Sequence, residues 1–279
     1  MRYRFMVSGL VLVFGTASGE EPGRAAPAVD RPYSLWNPKP RELRRDLSAD
    51  RPDATESPFP VDPGAVQIEL SVVEYAYEDE DGAATHAFSF APINLKLGLT
   101  ERADLQLLFN PYERVEMDGT GDADGVGSFG VRSKISLWGL EGGRSAGALL
   151  PYVVFPTGDR DVSASRVEWG VVLPVSFSLG GGWDLGAQAE IGFSHDGNGY
   201  DTTVSHTAVV GHDIVGDLAG YLEYIGDANI DRGHYSPSVS AGLTYALDAD
   251  TQLDLGVVVG LDNPRTEDLR VFAGVTLRF

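Results

Sequence analysis

Leu269-Arg270-Val271-Phe272-Ala273-Gly274-Val275-Thr276-Leu277-Arg278-Phe279 ends the chain, and its reading decides the fold. Taken two residues at a time, Leu269, Val271, Ala273, Val275, Leu277 and Phe279 share one face. Arg270, Gly274, Thr276 and Arg278 share the other, with Phe272 as its one apolar member. That period is a β-strand with one apolar side. A half-buried strand of a soluble sandwich alternates in the same way. An apolar face that runs unbroken to a terminal Phe is the part such a sandwich does not explain. The choice rests on whether the rest of the chain repeats the pattern.

It does. From Gly64 onward the sequence divides into twelve strand-length segments, approximately 65–77, 85–99, 103–112, 127–138, 147–155, 166–179, 183–194, 203–213, 218–226, 235–246, 251–261 and 269–279. Leu105, Leu107 and Phe109 oppose Asp104, Gln106 and Asn110. Trp183, Leu185, Ala187, Ala189, Ile191 and Phe193 oppose Asp184, Gln188, Glu190 and Ser194. Segments of this length are long for a soluble sandwich and suit a tilted membrane crossing of about 9–11 residues. The connections alternate too. Thr100-Glu101-Arg102, Gly180-Gly181-Gly182, Val215-Gly216-Asp217 and Leu247-Asp248-Ala249-Asp250 are short. Between them fall longer acidic loops at 78–84, 113–126, 156–165, 195–202, 227–234 and 262–268. Short turns on one rim and long loops on the other are the asymmetry of an outer-membrane barrel. The expected fold is therefore all-β: a transmembrane antiparallel β-barrel of about 12 strands over residues 64–279. The even count puts both termini on the short-turn, periplasmic side.

The start of the chain agrees. Met1-Arg2-Tyr3-Arg4 and the apolar run Phe5 to Gly15 lead to Ala17-Ser18-Gly19, so residues 1–19 read as a removed export signal. Residues 20–63 are proline-rich and aperiodic, a periplasmic leader. Its Asp50-Arg51-Pro52-Asp53-Ala54-Thr55-Glu56-Ser57-Pro58 favours consecutive turns. The motif lies about a dozen residues before the first strand, so the chain could fold back ~30–40 Å into the barrel mouth. Asp50, Arg51, Asp53 and Glu56 are the residues of such a plug; a solvated linker is the alternative.

Composition narrows the partners. The 279 residues carry a formal charge of −20, which repels nucleic acid. Cysteine is absent, so the fold does not lean on disulfides. Most of the acidic excess sits in the long loops. With apolar faces toward lipid, the lumen receives Glu69, Lys96, Asp104, Arg132, Lys134, Arg166, Glu168, Glu190, Glu223, Asp254, Arg270 and Arg278, acids and bases in equal number. Balanced charge would let these groups pair across a narrow lumen.

Several stretches together resemble the family of outer-membrane transporters associated with the meta-cleavage pathway of phenol degradation. They are Ala49 to Pro58, Gly64 to Glu69, Gly125-Val126-Gly127-Ser128, Leu149-Leu150-Pro151-Tyr152 with Phe155-Pro156-Thr157-Gly158, Leu253 to Gly256, and Val271 to Phe279. The likeness spans most of the mature chain, and its opening motif and ending are its more specific parts. The family often has Gly-Asp where this chain has Gly127-Ser128. The resemblance implies a barrel with a transport role and no catalytic residues.

Catalytic and metal chemistry find little support. Five histidines (86, 195, 206, 212 and 234) form no close metal-ligand pair. Gly125, Gly127 and Gly130 have dinucleotide-loop spacing but precede a strand, not a helix. Asp118, Asp122 and Asp124 lack the EF-hand spacing and its closing Glu. An outer-membrane hydrolase would need a Ser-His pair, for which His206 with Ser205 or Ser194 is on offer. The expectation is a non-enzymatic channel in the cell outer membrane for small, apolar or aromatic solutes, without cofactor or metal. Its partners are membrane lipid, the barrel-assembly machinery through Phe279, and the solute. A non-transporting structural or surface-interaction barrel is the alternative.

Overall fold

The computed structural model describes residues 32–80, 82–119, 121–195, 197–261 and 267–279; the expected export signal lies outside them. Among the described residues the strands are β1 (Val66–Glu80), β2 (Ala83–Phe90), β3 (Ile93–Thr100), β4 (Ala103–Phe109), β5 (Tyr112–Met117), β6 (Ala123–Gly125), β7 (Phe129–Trp138) and β8 (Ser145–Phe155). They continue as β9 (Glu168–Gly180), β10 (Trp183–His195), β11 (Tyr200–Val215), β12 (Leu218–Asn229), β13 (His234–Asp248), β14 (Thr251–Gly260) and β15 (Leu269–Arg278). Neighbours are antiparallel, and β15 pairs back onto β1, from Gln67 opposite Arg278 to Tyr77 opposite Leu269. The wall is a closed twelve-strand barrel, because β2 with β3, β4 with β5, and β6 with β7 each make one pass. Closure leaves no free edge in the ring. Phe279 completes the seam: its N–H donates to Val66 O at 2.8 Å, and its ring is exposed.

The molecule is inside out by the standard of a water-soluble protein. Lys96, Lys134, Gln67, Gln106, Glu168 and Glu223 are among its most completely buried large side chains. Trp169, Phe177, Leu222, Leu243, Leu255 and Val271 stand exposed on the opposite face of the same wall. Water would penalise both halves of that arrangement; lipid outside and a polar lumen inside stabilise both. Turn chemistry matches the register. Gly180, Gly181 and Gly182 all have positive φ, which lets β9 reverse directly into β10.

Two consecutive passes break at Ala91-Pro92 and Asn110-Pro111. Pro92 and Pro111 have no N–H to give the ladder at these breaks, although Pro151, Pro174 and Pro237 are accommodated within β8, β9 and β13. Above the breaks, β2 pairs with β5 and β5 with β6. This corrects the expected loop at 113–126, much of which is strand. The reason is an inverted pattern: Val115 faces inward with Ala76, Ala87, Met117 and Val162, while Arg114 and Glu116 face out. That is the polarity of a water-facing sheet, invisible to a search for apolar-out alternation. The loops expected at 195–202 and 227–234 are also shorter, since β10 to β13 extend into them.

Candidate functional site

The leader begins on the short-turn rim. Leu35 N–H donates to Leu99 O at 2.8 Å, and Lys39 reaches Asp62 at 3.0 Å and Glu101 at 3.2 Å. Arg45 also pairs with Asp62, and Arg278 donates to Arg45 O at 2.7 Å. From there the chain enters the lumen and leaves it near Val61, whose N–H donates to Asp104 at 2.9 Å.

Inside, Asp50 is the hub. Lys96 and Lys134 both donate to its carboxylate, Arg132 Nη2 lies 3.3 Å away, and its own N–H donates to Glu69 at 2.9 Å. Burial alone would raise its pKa; Lys134, Lys96 and Arg132 outweigh that and hold it well below the usual carboxylate range. Arg51 points the other way and grips Asp254 through Nη2 at 2.8 Å and Nε at 3.2 Å. Its guanidinium carbon lies 5.8 Å from the centre of the Phe272 ring and its Nη1 donates to Ser71. Gly274 makes that course possible, because a Cβ there would collide with the Arg51 guanidinium.

The far end of the motif meets a wall of acceptors. Ala54 N–H and the Thr55 hydroxyl donate to Glu223 at 2.9 and 2.7 Å, and Thr55 also meets Thr207 at 2.6 Å. Glu56 N–H donates to Gln188 at 2.7 Å, and both Arg132 Nη atoms donate to the Glu56 carboxylate. Burial lifts Glu56 to about 7; Arg132 opposes that rise and Asp50 adds to it. Asp53 is buried with no hydrogen-bond partner for Oδ2, and burial together with the Glu223 charge pushes it well above its ordinary value.

Of the residues expected in the lumen, Glu69, Lys96, Asp104, Arg132, Lys134, Glu168, Glu190, Glu223 and Asp254 are buried on the inner face. Arg166 is a correction: it is exposed in the loop before β9, which starts at Glu168 rather than at 166. Arg270 pairs with Glu267 at 2.6 Å, and Arg278 sits at the rim on Asp250 at 2.7 Å. The expected pairing of wall charges with one another is also corrected. Lys96 does meet Glu69, but Lys96, Arg132 and Lys134 converge on the leader's acids, and Asp254 binds the leader's Arg51. The leader fits between walls whose charges complement its own. Neutral partners such as Gln188, Thr207 and Ser71 escaped the sequence reading, although their inward register positions were a signal for them. The hydrolase arrangement is not assembled. His206 stacks on Tyr235 on the outer face, whereas Ser205 points inward to Asp227 and Ser194 lines an inner cavity.

The leader separates two cavities. One of about 350 Å³ lies toward the long loops, with Glu56 and Arg132 on its floor and Leu108, Val154 and Val172 among its walls. It reaches the barrel wall at Pro92 and Asn110, beside the two proline breaks. The other, about 870 Å³, opens on the short-turn rim and is lined by Arg44, Arg45, Ser57, Pro58 and Arg278 among others.

Comparison with known proteins agrees with this architecture. The fold is similar to that of a crystallised outer-membrane channel from Pseudomonas putida F1, with a TM-score of 0.64 and 14% identity over 83% of this chain and 100% of that one. Weaker similarity extends to the NanC porin (TM-score 0.49, 7% identity, 76% of this chain and 98% of that one). The KdgM porin gives a TM-score of 0.49 at 9% identity over 77% and 99%. No curated protein matches in sequence. Residues 49–279 match the family model described as "Putative MetA-pathway of phenol degradation", a span that runs from the start of the buried leader motif to the terminal Phe. With its closed twelve-strand barrel, the chain belongs to that family.

Proposed function

We propose that this protein is an outer-membrane channel for small solutes of apolar or aromatic character, with the leader as its plug. The short-turn rim and both chain ends then face the periplasm, delivered there by the export signal at 1–19. Phe279 would be the handle for the assembly machinery.

The observation that carries the reading is the separation of two cavities by a leader segment, residues 49–57, rather than by side chains of the wall. A purely structural barrel could seal its lumen with pairs fixed in the wall. Here the seal is a chain segment joined covalently to the wall only through β1 and otherwise held by charge pairs and hydrogen bonds, and so removable. Apolar surface in the upper cavity, from Leu108, Val154 and Val172, supports an apolar solute. Liposome swelling with purified, refolded mature protein tests the reading. Entry of small aromatic solutes faster than sugars of similar size is expected. Swelling no faster than that of protein-free vesicles would favour the non-transporting barrel.

A further inference from the structure

The upper cavity carries an asymmetry of charge that its role as a passage does not require. Five carboxyl side chains line it, Glu56, Glu113, Glu168, Glu190 and Asp227, against the single guanidinium of Arg132. That guanidinium is already engaged by Glu56, Gln106 and Asp50 on the floor. Glu190 is 8% exposed and accepts from the Tyr152 hydroxyl at 2.7 Å, and no base pairs with it among the described residues. Glu113 accepts from Asn110 and Asp227 from Ser205, again neutral donors. Arg270 attracts Asp227 electrostatically, while its ion pair at 2.6 Å is with Glu267. A second feature points the same way. Asn110 is 7% exposed and its amide nitrogen is fixed by Glu113 and Ser89, which leaves its buried Oδ1 without a donor.

Glu190, Glu113 and Asp227 are hydrogen-bonded only to neutral donors and Asn110 Oδ1 to none, and burial beside an apolar wall makes carboxylate charge held in this way costly. An ionised group of opposite sign that brings its own N–H donors relieves both deficits. We propose that the upper cavity is a selective site for solutes that join an apolar body to a protonated amine, with Glu190, Glu113 and Asp227 receiving the ammonium. The apolar body lies against Leu108, Val154 and Val172. A carboxylate of the same size is excluded by repulsion. The inference rests on the channel reading and narrows its solute class.

The test uses three probes that share one apolar body: 4-phenylbutylammonium, 4-phenylbutanol and 4-phenylbutyrate. Each is titrated by calorimetry into the mature protein in nanodiscs, with methylammonium as a fourth probe for a bare cation. The ammonium should bind at least tenfold more tightly than the alcohol, and the carboxylate and methylammonium more weakly than either. Glu190→Gln keeps an acceptor for Tyr152 and should bring the ammonium down to the alcohol's affinity while leaving the alcohol unchanged. Asp227→Asn, from a different strand, should shift it in the same direction. Equal binding of ammonium and alcohol, preference for the carboxylate, or methylammonium matching the phenyl compound would overturn the proposal. Failure of swelling with intact ammonium binding would count against transport alone. Intact swelling without ammonium selectivity would count against this inference alone.

Discussion

Arg51 concentrates the leader's hold on the wall in one side chain. Its partner Asp254 has no exposed side-chain surface, so removal of the guanidinium strands a buried charge. Arg51→Met should therefore weaken docking by about 3–5 kcal/mol, as expected when one member of a buried pair is lost. Proteolysis of the leader in folded protein measures this, and a cleavage rate equal to that of the native chain would refute the role. Asp53 supplies a pH test. Its pKa is raised in the docked state, so its share of docking is complete below the ordinary value of 3.8 and is lost as pH rises through the raised value. Cleavage of the leader should accelerate as pH rises above 3.8, with Glu56 contributing near its raised value of about 7, and Asp53→Asn should reduce that rise; parallel profiles for the two proteins would contradict the assignment. At this scale the sequence pointed to Asp50, Arg51, Asp53 and Glu56 through turn chemistry. It could not say that Arg51 takes Asp254 and Asp50 takes Lys96 and Lys134, because those pairs join residues up to 203 positions apart.

Among elements, the closing strand was the most legible. Its alternation from Leu269 to Phe279 fixed its two faces, and its pairing with β1 closes the ring. If the exposed Phe279 ring guides insertion, its deletion should lower the assembled fraction severalfold while export continues. Heat-modifiable migration measures assembly, and unchanged migration and membrane yield would argue against that role. β5 was illegible for the opposite reason, since its apolar residues Val115 and Met117 face inward and the period carries reversed polarity, and β6 is too short to show a period. The break within the expected strand 85–99 falls at Pro92, but Pro151, Pro174 and Pro237 lie inside unbroken strands, so proline alone did not mark it. Gly274 adds a prediction at this scale. A Cβ at this position in β15 meets both the Arg51 guanidinium and the backbone oxygen of Leu70 in β1, so Gly274→Ala should loosen the leader and also strain the closing seam. Native resistance of the leader to protease in that variant would show that Arg51 does not need the space.

Across the whole molecule, charge is sorted by height rather than balanced. Lys96, Lys134 and Arg132 gather around the leader's acids, while carboxylates dominate the cavity toward the long loops. Equal numbers of acids and bases in sequence concealed this, because a count along strands carries no information about which charges the leader neutralises. Removing the leader would leave those three cations facing an emptied lumen, stable only if water enters to solvate them. The central claim is that residues 49–57 close a lumen that is otherwise open. Single-channel conductance of the mature chain, set against a version lacking residues 20–60 whose folding is verified by heat-modifiable migration, tests it most directly. A conductance several times larger in the shortened protein is the predicted result; equal conductance in two equally stable proteins would contradict it.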